Sequence, residues 1–549
     1  MPHVPVLVRC LRAGYGPADL RADAIAGLTV AIVALPLSMA IAIAAGATPA
    51  MGLVTAIVGG FLVSALGGSR FQIGGPAGAF IVLVATTLQA HGVEGLILAT
   101  AISGLLLALM GALRLGAYIQ FVPFPVTVGF TAGIAAIIFA SQLAPLLGLT
   151  LAGPEPAAFV EKLPALLAAL PTIDPVTCAL SAGTIAIMLV LKRLRPHWPR
   201  MLIAVAASAA VAAGLGLEVR TIGGVFGALP AGLPVPRLPS LDPALVVAVL
   251  PSAIAFTLLG AIESLLSAVV ADGMTGERHS PDAELLGQGA ANVGAALFGG
   301  FCVTGTIART ATNVRAGARS PVAGMLHAAF LLLFLLVAAP LASFVPLAAL
   351  AAVLAMVAWD MVEKPAFVAL TRASRGDAAV LYVTLALTIL RDLTEAIVVG
   401  VALGAMLFIR RMSKAVEVEH VAEPDPDRYD AAAATDPQVM IYRIRGALFF
   451  GAVSAVAAAL ERLADAHRLL VIDCTDVTLA DSSAAHMIEG VAHKAARRGV
   501  AVYVTGATPA LRRTFLANGA RPPLVRYAGT IEAALESARR RGVIPPAAA

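Results

Sequence analysis

The residues able to do chemistry sit in three short stretches. From 298 to 315 the chain reads Phe298-Gly299-Gly300-Phe301-Cys302-Val303-Thr304-Gly305-Thr306-Ile307-Ala308-Arg309-Thr310-Ala311-Thr312-Asn313-Val314-Arg315, an apolar run broken by glycines and then carrying an arginine. At membrane depth an irregular backbone survives only where protein or a watery cavity surrounds it. We therefore expect a loop or short strand through Val303, then a half-helix from about Thr306. Its free N–H groups and positive dipole end would face whatever lies before them, an arrangement that holds an anion. Arg309, in the first or second turn, adds a fixed cation that sharpens anion selection and orients a carboxylate or oxyanion bidentately.

The second stretch, Arg70-Phe71-Gln72-Ile73-Gly74-Gly75-Pro76-Ala77-Gly78-Ala79-Phe80, is built the same way. A glycine-rich break is followed by a proline near the first helical position, where its missing N–H does no harm. In the third stretch, residues 246–271, Glu263 is the one acid of an apolar run. Steps of 4, 3 and 4 put Phe256, Gly260, Glu263 and Ser267 on one helix face. A carboxylate at the centre of a spanning helix costs about 2.5–3.5 kcal/mol, so it is kept for a reason. Ion coupling or proton titration is one reason; a structural ion pair with Arg309 is the alternative, and the two are compatible if substrate breaks the pair.

These features repeat. Pro76 and Gly305 are 229 positions apart, and Pro36 and Glu263 are 227 apart, so an internal repeat of about 228 residues accounts for both. An odd number of spans per repeat would invert the second copy, and the two half-helices would then meet end to end at the midplane. Pro36 lies in Leu35-Pro36-Leu37-Ser38-Met39, where a proline inside a helix removes a backbone hydrogen bond and exposes polar backbone to a substrate.

What must position such residues is a membrane-embedded scaffold. Charged residues make up 13% of the chain and mean hydropathy is +0.90, whereas soluble proteins carry roughly a quarter charged residues. Apolar runs recur from about 23 to 410; at about 20 residues per crossing we count about fourteen, some short or broken. The net charge of +5 is too small and too localised for nucleic acid binding. Basic clusters at 192–200 and 410–414 end apolar spans, and 154–174 is mainly acidic. The positive-inside rule puts the basic clusters in the cytoplasm, and an even number of spans puts both termini there. Residues 1–21 hold no apolar run of the signal-peptide kind, so the first span is its own insertion signal. Cys10, Cys178, Cys302 and Cys474 show no metal-ligand spacing, and neither disulfides nor zinc nor another cofactor is expected.

Taken in order, spans are expected at about 24–45, 51–66, 76–88, 95–113, 122–143, 176–191 and 201–215. The second half continues at about 246–271, 285–297, the half-helix after 306, 322–338, 347–356, 379–390 and 396–409. Residues 153–170 are expected to lie on the outer membrane surface, 223–243 to form an exposed link, and amphipathic 361–372 to lie between two spans. His279 reads as a solvated loop residue, and Gln288 and Asn292 as interhelical hydrogen-bond formers. After 412 the composition changes: 413–437 reads as a polar linker, and from 438 strands and helices alternate to about 543 as one small α/β domain.

Leu259-Gly260-Ala261-Ile262-Glu263-Ser264-Leu265-Leu266, Asp272-Gly273-Met274-Thr275-Gly276 and Ala308-Arg309-Thr310-Ala311-Thr312-Asn313-Val314 resemble the sulfate permease (SulP) superfamily of anion transporters with a C-terminal STAS domain. The likeness runs from about Asp23 to Arg540 and is nearest the bacterial DauA-type C4-dicarboxylate branch. It implies a polytopic α-helical protein of the bacterial cytoplasmic (inner) membrane. Fourteen spans would form a seven-plus-seven inverted repeat over 23–216 and 245–412, with residues 1–22 cytoplasmic and a cytoplasmic STAS domain over 438–543. A core of spans 1–4 and 8–11 would move against a gate of spans 5–7 and 12–14. The anion would sit among Pro36, Leu37, Gly75, Pro76, Ala77, Gly78, Ala79, Phe80, Gly305, Thr306, Ile307, Ala308 and Arg309. Glu263 and Ser267 stand where sodium-coupled bicarbonate transporters of the family carry aspartate and threonine, and glutamate there goes with proton coupling or exchange. Many sulfate-transporting members have Gln where this chain has Leu37, which fits the dicarboxylate branch, as do the small Ala77, Gly78 and Ala79.

Leu479-Ala480-Asp481-Ser482-Ser483-Ala484 is similar to the loop that bacterial anti-sigma-factor antagonists phosphorylate, with Ala484 in place of the usual Gly. Ser482 and Ser483 are candidate regulatory sites, although Asp481, Ser482 and Ser483 also suit a helix N-cap. A homodimer is expected, with the STAS domain regulating or supporting it. The function expected is proton-coupled uptake of C4-dicarboxylates of the succinate, fumarate and aspartate class; the alternatives are sulfate or bicarbonate transport and an uncoupled channel. The spans hold no HExxH, clustered metal ligands or nucleophile with a base, and no Walker motif, so an enzyme and direct ATP drive are not expected.

Overall fold

The computed structural model describes residues 4–117, 122–153, 155–156, 158–195, 198–391, 393–420, 437–460 and 467–545. The chain divides into two compact units, Met1–Ala402 and Leu403–Ala549.

The first unit is helical. After a short helix at Val6–Arg12 come α1 (Pro17–Ala44), α2 (Pro49–Leu66), strand β1 (Gly74–Gly75), α3 (Gly78–Ala112), α4 (Phe124–Leu147), α5 (Phe159–Ala169), α6 (Pro175–Leu194) and α7 (Arg200–Gly214). Next come α8 (Pro243–Thr275), α9 (Pro281–Leu297), strand β2 (Thr304–Gly305), α10 (Ile307–Arg315), α11 (Val322–Val337), α12 (Leu347–Met361), α13 (Lys364–Ala373), α14 (Arg375–Leu390) and α15 (Leu393–Lys414), the last crossing the division between units. Among the described residues seven helices are long and apolar enough to cross a membrane, and α7 and α11 are shorter apolar helices. At 35 residues α3 is about 50 Å long against a hydrocarbon core of about 30 Å. Gly92, at φ +68° and ψ −172°, breaks it where the sequence separates spans at 88 and 95. The link at 223–243 is mostly exposed, but Ile222 beside it is buried and donates its N–H to the Val345 carbonyl.

The two glycine-rich breaks meet. Gly74 pairs with Gly305 and Gly75 with Thr304, antiparallel, so the helices that follow leave the pair in opposite directions. At nine residues α10 is about 14 Å long, too short to cross a hydrocarbon core of about 30 Å. Against this pair α2 opens into a π-helical segment, Thr55–Gly59, a device common at functional sites. Thr55 Oγ1 there accepts from the Phe301 N–H at 2.9 Å. The repeat also shows in the supports. Asn292 Nδ2 donates to the Val303 carbonyl and its Oδ1 accepts from the Val303 N–H, both at 2.9 Å. Ser64, 228 positions earlier, donates to the Gln72 carbonyl at 3.3 Å.

Halves are locked by close helix contact. A Cβ on Gly104 of α3 would come within 2.7 Å of the Gly289 carbonyl oxygen, and one on Gly289 of α9 within 2.6 Å of the Gly104 carbonyl oxygen, the small-residue packing that membrane helices use where burial supplies no drive. Asp23 of α1 ties down the loop before α11: its carboxylate accepts from the Arg319 N–H at 2.6 Å and the Ser320 N–H at 3.2 Å.

The second unit is a five-stranded sheet ordered β3 (Glu417–His420), β4 (Val439–Leu448), β5 (Leu469–Ala480), β6 (Ala501–Thr505) and β7 (Val525–Ala528). β3 runs antiparallel to β4 and the others are parallel. Helices α16 (Val453–Leu460), α17 (Ser482–Arg497), α18 (Pro509–Ala517) and α19 (Ile531–Arg540) cover it. The linker expected over 413–437 begins later than the sequence suggested, because residues 417–420 are an edge strand; 421–436 lie outside the described residues. β7 was not anticipated.

Candidate functional site

Each helix tip at the strand pair is without a side-chain cap. Ala77 precedes the first turn of α3, Gly78–Phe80, and can offer no side-chain acceptor. Thr306 precedes α10, but its hydroxyl donates to the Ile73 carbonyl at 3.1 Å instead of capping. The first N–H groups of both helices therefore point at the space between the tips, where an anion is favoured. Gly78, Thr306 and Ile307 are half-buried and Ala308 is exposed, whereas Gly75, Pro76, Ala77, Ala79, Phe80 and Gly305 are buried. The wall opposite the first tip belongs to α4 and α12: a Cβ on Gly78 would stand 3.1 Å from Ile138 Cδ1 and 3.7 Å from Met361 Sδ.

Arg309 is 1% exposed and donates from Nη2 to the Pro76 carbonyl at 3.0 Å, so the second repeat's cation is tied to the first repeat's tip. Its Nε and Nη1 have no partner among the described residues. One arm of the fork expected from the sequence is thus committed to Pro76, and the group is enclosed. Gly75, at φ +154°, makes room for it, since a Cβ there would lie 2.4 Å from Nη1. Gly75→Ala should lower stability by about 1–3 kcal/mol through overpacking, read as a lower unfolding midpoint; an unchanged midpoint would contradict the contact.

Glu263 stands on the α8 face that touches both tips. Phe256 packs edge-on to Phe80 with ring centroids 6.0 Å apart, and the Gly260 carbonyl accepts from Thr304 Oγ1 at 3.2 Å. Ser267 Oγ donates to Thr310 Oγ1 of α10 at 3.0 Å. Glu263 is 8% exposed and has no hydrogen bond or ion pair among the described residues. The ion pair with Arg309 is absent, because the guanidinium turns to Pro76. Pro36 and Leu37 are buried in α1, which packs along α10, but no hydrogen bond joins them to either tip. Ser482 and Ser483 lie in the second unit, exposed, in the first turn of α17, which Asp481 caps by accepting from the Ala484 N–H at 2.8 Å. In that unit burial, reinforced by the Asp473 carboxylate, pushes the Cys474 thiol up to about 12, leaving it protonated and unreactive at neutral pH. A cavity of about 480 Å³ between α6 and α7, lined by residues such as Ala179, Thr184 and Val211, includes none of the tip residues.

Glu284, wholly buried on α9, is a residue the sequence did not single out. Its Oε2 accepts from the Gly68 and Ser69 N–H groups at 2.8 and 3.0 Å, and its Oε1 from Gln72 Nε2 at 2.8 Å and Ser264 Oγ at 3.3 Å. One carboxylate thereby holds the segment entering β1 against α8 and α9. Its place two residues from Asp282 in a helix's first turn reads locally as ordinary dipole complementarity. Glu284→Ala should cost about 1–3 kcal/mol for each buried donor left unpaired, checked by thermal unfolding; a midpoint equal to that of the parent protein would remove the hub. His279, expected to be solvated, is held by Asp272, with Nδ1 2.6 Å from Oδ2.

A family model described as the sulfate permease family matches residues 20–384, and one for the STAS domain matches 430–538. A putative sulfate transporter of Bacillus subtilis (strain 168), YvdB, is 39% identical over 90% of this chain and 92% of its own length. The bicarbonate transporter BicA of a Picosynechococcus species is 31% identical, with 90% of each chain covered. The solved transmembrane domain of a cyanobacterium bicarbonate transporter BicA matches with a TM-score of 0.63 and 31% identity, covering 70% of this chain and 98% of that one. Murine solute carrier 26 family member A9, in the inward-facing state, matches with a TM-score of 0.85 over 98% of this chain and 94% of that one; at 16% identity this is a likeness of fold. Two opposed helix tips, a buried cation behind them and a match over most of the length converge: the chain belongs to the sulfate permease family of anion transporters and carries a C-terminal STAS domain.

Proposed function

We propose that this chain is a secondary active transporter that holds its anion between the tips of α3 and α10 and carries a proton on Glu263. The observation behind this reading is that two uncapped helix ends are set tip to tip, with a buried guanidinium behind them and no acid paired with it among the described residues. Glu263, on the α8 face that touches both tips and without a partner among the described residues, is the group we read as coupling anion and proton. Gly78 facing Ile138 and Met361 supports a core moving against a gate, so that alternating access opens and closes the wall at α4 and α12. The chain would act as a homodimer in the bacterial cytoplasmic membrane, with both termini cytoplasmic and the STAS domain regulating it through the Ser482–Ser483 turn or supporting the dimer.

For the anion, Leu37 in place of the Gln that the resemblance gives to many sulfate-transporting members favours a C4-dicarboxylate over sulfate. The names carried by the relatives favour a second reading, sulfate or bicarbonate. Purified protein in liposomes, offered labelled succinate, fumarate, sulfate and bicarbonate with and without an acid exterior, separates these. Saturable, acid-stimulated uptake of one anion supports the proposal; ionic current without coupled flux would replace it with a channel.

A further inference from the structure

His327 of α11 is wholly buried, and neither ring nitrogen has a hydrogen-bond partner among the described residues. A histidine ring must offer at least one donor and, when neutral, one acceptor, and a buried polar group without a partner calls for a reason. The surroundings supply one. A Cβ on Gly60 of α2 would lie 3.7 Å from His327 Cε1 and 2.9 Å from the Gly74 carbonyl oxygen. One turn earlier on the same helix, Ala56 Cα lies 3.7 Å from where a Cβ on Gly75 would stand, itself 2.4 Å from Arg309 Nη1. His327 and Arg309 thus approach the same Gly74–Gly75 segment across one face of α2. Arg309 brings unpartnered donors at Nε and Nη1 to this place, and His327 brings an unpartnered acceptor.

We infer that His327 is a positioning residue for Arg309: a ring nitrogen accepts from the guanidinium N–H groups that Pro76 leaves free, by a side-chain rotation or across one water. The fork is then held from two sides, by the Pro76 carbonyl and by the ring, and its charge stays fixed behind both helix tips. This rests on the reading of Arg309 as the charge of the anion site.

The test compares uptake of labelled sulfate, bicarbonate and succinate by liposomes holding the full chain, as parent protein, His327→Leu and His327→Asn. The leucine variant should raise KM roughly tenfold, as expected on losing a hydrogen bond to a charged group, with Vmax little changed. Asparagine, which keeps an acceptor near the position of Nδ1, should recover most of the loss. If His327→Leu fails to fold by size-exclusion chromatography, His327→Gln against His327→Met gives the same comparison, amide acceptor against none at similar length. An unchanged KM in the apolar variant, or a loss that the amide does not recover, overturns the inference alone. Absence of uptake of all three anions by the parent protein overturns the transport reading and this inference with it.

Discussion

Arg309→Ala should raise the anion concentration for half-maximal uptake roughly 10- to 100-fold, the worth of about 1.5–3 kcal/mol for a lost interaction with a charged group. The protein should nonetheless fold. Arg309 is enclosed, makes one hydrogen bond to Pro76, and has no acid as a partner among the described residues. An uncompensated buried charge costs stability, so its removal should leave the unfolding midpoint equal or higher while affinity falls. That opposition separates a charge kept for the anion from one kept for the fold. Arg309→Lys should fall between, since an ammonium keeps the charge but loses the planar fork that reaches Pro76. Parental affinity in calorimetry for the alanine variant, or a collapse of stability, would return Arg309 to a structural role.

The second large effect is at Glu263. With one proton carried per anion, a gradient of one pH unit is worth about 1.4 kcal/mol and supports roughly tenfold extra accumulation. Glu263→Gln keeps the shape and cannot titrate, so the acid-driven excess should disappear while anion exchange across the same site continues. Because no residue pairs with Glu263 among the described residues, the substitution leaves no partner stranded there and the fold should be unaffected. Accumulation that still follows the pH gradient in the glutamine variant would remove Glu263 from the coupling.

Much of this was legible because it was written in backbone chemistry and apolar length. Gly74-Gly75-Pro76 and Thr304-Gly305-Thr306 announce breaks inside apolar runs, and their spacing announces the repeat, so the opposed tips followed from sequence before any pairing was seen. What stayed hidden was long-range partnership. Glu284 looks like any acid in a first helical turn, yet its donors at Gly68, Ser69 and Gln72 come from more than 200 positions away. His327 sits singly in an aliphatic run, where no local pattern tells a packed ring from one left buried without a hydrogen-bond partner. Glu417-Val418-Glu419-His420 read as linker because charge outweighs its alternation, and it became a strand through β4. The approach of Ile138 and Met361 to Gly78 is likewise a contact between spans distant in the chain.

The claim beneath all of this is that an anion sits between the first turns of α3 and α10. A density map of the protein saturated with the anion it transports tests it directly. The account predicts density within hydrogen-bonding reach of the N–H groups of Gly78 and Ala79 on one side and Ile307 and Ala308 on the other, and its loss in Arg309→Ala. Ordered anion density elsewhere, with the space between the tips filled by side chains, would contradict it.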